Sequence, residues 1–180
     1  MNSVLDGIFR VVQRIEAFLL ASAILLIAGL TILNVVARSA FGSSIAATEE
    51  LSQFLIILVT FVGLSYAASQ GRHIRMTALY DQLPLRPRKA LRIFITTSTA
   101  ALLFLLAWYA VDYVLVVRRL GSVSPVLQVP LWLVYLAAPL GLAMAGVQYV
   151  FATARNFMSD GVYLAYHVED IYEAEEVEHV

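Results

Sequence analysis

Charge is almost absent from four long stretches of the chain and gathers between them. The pattern is plainest from Thr48 to Arg75, where Glu49 and Glu50 open a run of about nineteen uncharged residues and Arg72, His73 and Arg75 close it. At a rise of ~1.5 Å per residue, such a run as a helix covers the ~30 Å hydrocarbon core of a bilayer. Thr48 is placed to act as N-cap, with both acids in the first turn, where a helix dipole favours negative charge. Three further runs behave alike. The pattern therefore predicts an all-α membrane protein of four transmembrane helices, at about residues 17–37, 51–69, 90–117 and 131–153. These make a membrane domain over residues 1–155, followed by an acidic cytoplasmic tail at 156–180.

The segments between the runs refine this picture. Val4, Leu5, Ile8, Val12 and Ile15 share one helical face, which suits an amphipathic helix lying in the interface before the first span. A plain extension of that span fits the same residues. The first run is too long for the apolar part of a signal peptide, so it is expected to be retained as an anchor. Met76, Leu79, Tyr80 and Leu83 predict a second short amphipathic helix between spans two and three, ended by Pro84 and Pro87. Gly63, Ala67 and Gly71 make a small-residue side on the second span where another helix backbone can approach, and Ala137, Gly141 and Ala145 repeat that spacing on the fourth. Pro139 is expected to kink the fourth helix, and Trp132 and Tyr135 to sit in the outer aromatic belt. Asp112 is the single acid that falls within a span, near its outer end, and reads as a solvated or paired boundary charge.

Composition narrows the function. The chain has 180 residues, 61% hydrophobic and 14% charged, and no cysteine, which removes disulfides and thiol chemistry. The histidines lie outside the predicted spans, so axial haem ligands are absent from the membrane. No nucleophile–base pair, metal cluster or phosphate loop stands out, and the chain reads as a non-enzyme without a cofactor of its own. Spans one, two and four carry no charge, which disfavours a stand-alone proton-coupled exporter. The basic residues hug membrane boundaries, so the partner is the lipid bilayer and not nucleic acid. Nine of the twelve Lys and Arg residues fall on the side of the N-terminus; Arg38, Arg118 and Arg119 fall on the other. That bias puts both termini in the cytoplasm. Asn34 and Arg38 lie one turn apart at the outer end of the first span; Arg38 fits either snorkelling to the interface or a contact with a partner subunit.

Several of these residues together resemble a known family. Asn34-Val35-Val36-Ala37-Arg38 ends the first span and Thr48-Glu49-Glu50-Leu51 opens the second. Gly63-x-x-x-Ala67 leads to Arg72-His73-Ile74-Arg75, and Ser124-Pro125-x-Leu127-x-x-Pro130-x-Trp132-x-x-Tyr135-x-x-x-Pro139-x-Gly141 enters the fourth span. In order and at these helix ends, they resemble the small membrane subunit of tripartite ATP-independent periplasmic (TRAP) transporters. The resemblance implies a multi-pass protein of the bacterial inner membrane, a non-catalytic scaffold beside a large permease subunit. The large subunit would carry the sodium and substrate sites, and a periplasmic substrate-binding protein would deliver an organic acid, C4-dicarboxylate-like or related. Ala47 and Thr48 stand where the family often has an aromatic residue, and the acidic tail extends past the family core. Asn34, Arg38, Glu49, Glu50, Gly63, Ala67, Arg72, His73, Arg75 and Trp132 are the candidate interface or boundary residues. A structural or assembly subunit of another membrane complex is the alternative.

Overall fold

The computed structural model describes residues 2–70, 85–158, 163–165 and 168–169. The second amphipathic segment, Arg72, His73, Arg75 and most of the tail lie outside the described residues. Helix α1 (Asn2–Phe41) is one uninterrupted rod in which the amphipathic N-terminal residues run straight into the apolar span. It stops at Gly42, whose φ of 74° is left-handed and whose N–H donates to the Arg38 carbonyl at 3.0 Å. Only glycine takes that backbone without a Cβ penalty, so it is a natural helix stop.

Helix α2 (Ala46–Ser69) starts earlier than expected. Its N-cap is Ile45 and not Thr48, and Ile45 offers no capping oxygen. Thr48 lies inside the first turn, its hydroxyl donating back to the Ile45 carbonyl at 2.7 Å. Glu49 is the one acid of that first turn, and Glu50 follows it. Helix α3 (Leu85–Arg119) leads to a second loop through Gly121, again left-handed with φ 63°. The fourth span is split into α4 (Leu131–Tyr135) and α5 (Ala137–Met158). Pro139 has no N–H for the Tyr135 carbonyl, and the helical ladder lapses at Leu136 before Leu140 resumes it by donating to the Leu136 carbonyl at 3.3 Å. A short antiparallel pair, β1 (Tyr163–Ala165) with β2 (Val168–Glu169), follows, and β1 packs against α5.

Among the described residues, four helices are long and apolar enough to cross a membrane: Arg10–Phe41, Ala46–Ser69, Ala90–Arg119 and Leu131–Ala154. Their packing order is α1–α2–α5–α3: α2 lies against α1 and α5, and α5 against α2 and α3. The core sits where α2, α3 and α5 meet, around Ala68, Ala100, Leu103, Ala107, Leu142, Ala145 and Tyr149. Small residues dominate it because close helix contact in lipid relies on shape and not on water exclusion. Gly141 shows how close: a Cβ there would meet the Phe61 carbonyl carbon of α2 at 2.7 Å. Helix α1 is the least covered, with 6% of its most apolar window buried against 28% for α3.

Candidate functional site: the junction of the helix ends

On α1, the residues turned inward are Glu16, Leu20, Ala23, Ile27, Leu30, Asn34 and Ala37, alternately four and three apart. This 3.5-residue repeat is the seam along which two helices interlock. Polar residues close both of its ends. At the end by the α1–α2 turn, Asn34 Nδ2 donates to Glu49 Oε1 at 3.3 Å, and its Oδ1 accepts from the Ile45 backbone N–H at 2.9 Å. Asn34 thus satisfies the amide of the residue that caps α2, which has no capping side chain of its own. At the other end Ser65 Oγ, fully buried, donates to Glu16 Oε1 at 2.6 Å. Glu16 is itself buried, and its Oε2 has no partner among the described residues.

The two adjacent acids do different work. Glu49 is exposed and reaches back to α1. Glu50 is buried and faces the loop between α3 and α4, accepting from the Leu127 N–H at 2.6 Å and the Val126 N–H at 3.5 Å. A carboxylate on two loop amides is a charge-assisted anchor. Ser124, also buried, closes the loop from inside: its N–H donates to the Val129 carbonyl at 2.9 Å and its Oγ accepts from the Val129 N–H at 3.1 Å. Gln128 turns the chain with φ 54°, its amide donating to the Pro125 carbonyl at 3.0 Å. Below the loop, the Arg118 guanidinium lies over the Trp132 ring at 5.2 Å, and Tyr113 packs on Tyr135 with centroids 5.6 Å apart. These aromatic contacts hold α3 to α4 just beneath the loop.

The structure therefore joins Asn34, Glu49 and Glu50 in one junction with the Ser124–Pro130 loop, and sets Trp132 just beneath it. Arg38 is exposed. Gly63 faces this chain's own Leu20, whose Cδ2 would lie 3.7 Å from an added Cβ, so that position is filled from within at ordinary contact. Ala67 is half-buried on the same helix. Three features escaped the sequence reading. Glu16 was not singled out before the first span, yet it lies in register with Asn34 on the 3.5-residue seam, a signal that was present. Arg92, counted among boundary bases, is buried near the α3–α5 contact, where Thr153 Oγ1 donates to Thr96 Oγ1 at 2.8 Å. The tightest approach is at Gly141 and not Gly63, and only depth of packing distinguishes them.

A family model for tripartite ATP-independent periplasmic transporters, DctQ component, matches residues 27–158, which includes the whole junction. The chain belongs to that TRAP transporter family. The ectoine TRAP transporter small permease protein of Halomonas elongata is 42% identical over 99% of this chain and 92% of its own length. The C4-dicarboxylate TRAP transporter small permease protein of Rhodobacter capsulatus is 29% identical over 64% of this chain and 52% of its own. The sialic acid TRAP transporter permease protein of Haemophilus influenzae is 23% identical over 86% of this chain but only 25% of its own length. This TRAP small permease is thus a multi-pass membrane protein, and a subunit of an unrelated complex is set aside.

Proposed function

We propose that this TRAP small permease is a non-catalytic scaffold in the inner membrane, both termini cytoplasmic, that holds a large permease subunit in place during uptake. The supporting observation is that, among the described residues, the polar groups at both ends of the α1–α2 seam and at the Ser124–Pro130 loop tie this chain's own elements together. Glu16 serves Ser65, Asn34 serves Ile45 and Glu49, and Glu50 serves the loop amides. A frame braced at both ends suits a static support. The sodium and substrate sites belong to the large subunit, and a periplasmic binding protein delivers the solute near the outer junction. End-to-end similarity to an ectoine system favours a small carboxylate-bearing solute of the ectoine kind over a C4-dicarboxylate.

The test is purification of this chain from its native membranes in mild detergent, together with uptake of labelled ectoine and succinate by cells holding or lacking it. Expected are a large polytopic permease recovered in equal amount, and sodium-dependent ectoine uptake that disappears without this chain. Recovery of the chain alone, with uptake unchanged by its loss, would overturn the scaffold reading.

A further inference from the structure

Helix α3 carries a second seam that nothing among the described residues fills. Its buried side, Arg92, Thr96, Ala100, Leu103 and Ala107, lies on the side that packs on α5. On the opposite side, Ser98, Ala101, Leu105, Trp108 and Asp112 are all exposed, alternately three and four apart. This is the spacing of the α1 seam that interlocks with α2, and the layout matches too: apolar or small residues in the middle, a polar residue at each end. On α1 those end residues, Glu16 and Asn34, bond across to α2. On α3 the end residues, Ser98 and Asp112, have no partner among the described residues, and neither does Thr97 beside Ser98.

Lipid is a poor occupant of this face. A ~30 Å hydrocarbon core centred on the span at Ala90–Arg119 takes in about residues 95 to 114, so Ser98 and Asp112 both fall inside it. A hydroxyl facing lipid can satisfy itself by donating to its own helix, as Ser22, Thr31 and Thr60 do here. Thr97 and Ser98 do not. An aspartate has no such recourse, and its short side chain snorkels little; acids within a span face protein or water. The outward side of α1 is the opposite case. Phe18, Leu25, Ile32 and Val36 expose only hydrocarbon there, and the Thr31 hydroxyl is satisfied internally.

We propose that the outward seam of α3, from Ser98 to Asp112, is where the large permease subunit docks, while the outward side of α1 faces lipid. The proposal rests on the reading of this chain as partner of a large permease. The relatives supply the choice of occupant, since the sialic acid permease protein contains a region like this chain within a polypeptide about four times as long. The docking helix would offer a donor, from a basic or amide side chain, opposite Asp112, and an acceptor opposite Ser98.

The experiment is a photocrosslinking comparison on the full complex in native membranes. A benzophenone amino acid replaces Leu105 or Tyr109 on α3, and Leu25 or Ile32 on α1, one at a time. Expected is crosslinking of the large subunit from the α3 positions, many-fold above that from α1. Crosslinks from α1 in place of α3, or α3 crosslinks to a second copy of this chain, would overturn the assignment. So would lipid adducts alone at all four positions while the large subunit still co-purifies, and that result would leave the scaffold reading intact. Failure of the large subunit to co-purify with the unmodified chain would overturn both.

Discussion

Glu49 and Glu50 look interchangeable in the sequence and are not so in the fold. Glu50 is buried against two loop amides, whereas Glu49 is exposed at the α1–α2 turn. Replacing Glu50→Ala leaves the Leu127 N–H facing a vacated, buried site, a loss of about 1.5–3 kcal/mol for a hydrogen bond to a charged acceptor. Glu49→Gln keeps an oxygen for Asn34 and should change stability by less than about 0.5 kcal/mol. Chemical unfolding in detergent would separate the two, and protease cutting in the Ser122–Pro130 loop should rise only for Glu50→Ala. Equal behaviour would mean that the junction is not held by Glu50. The two acids were visible as a pair at a helix start. Their division of labour was not, because it depends on a loop more than seventy residues away, and no local pattern reports such a contact.

At the scale of helices, composition announced the spans, since runs this apolar have few other uses. Helix faces were harder to read. In the apolar stretch of α1, residues 17–37, nearly every residue is apolar, so the inward seam has little contrast against the outward side, and its polar ends, Glu16 and Asn34, mark it. The small-residue spacing on α2 and on α5 was legible on both, but not which glycine bears a close backbone contact. Gly141→Ala sets a methyl against the Phe61 main chain, which cannot move aside, and should destabilise by about 1–3 kcal/mol as α2 and α5 are pushed apart. Gly63→Ala meets only Leu20 at 3.7 Å and should be nearly neutral. Unfolding midpoints of the two variants check the contrast; a neutral Gly141→Ala would mean the two helices do not approach as closely as the structure has them. The break at Leu136 follows from Pro139 alone and was expected.

For the molecule as a whole, the uneven distribution of basic residues predicts which ends face which side. Because the chain has no cysteine, single cysteines can report this without a background. Ser44→Cys, in the loop between α1 and α2, should react with an impermeant maleimide on intact spheroplasts, and Ser3→Cys only after permeabilisation. The reverse pattern would invert the topology and move the Glu50 junction to the cytoplasmic side.

The packing order α1–α2–α5–α3 also has a bearing on how the chain is made. Helices α1 and α2 can associate as soon as both have left the ribosome, since they are consecutive and neighbours. Helix α3 emerges next, and its main neighbour within the chain does not yet exist. Until α5 is synthesised, α3 must wait in the bilayer with both its seams open, and only the last span joins the early pair to it. A nascent chain stopped before Leu131 would hold one finished hairpin and one unattached helix. Birth order therefore leaves α3 as the helix with the longest opportunity to meet another protein.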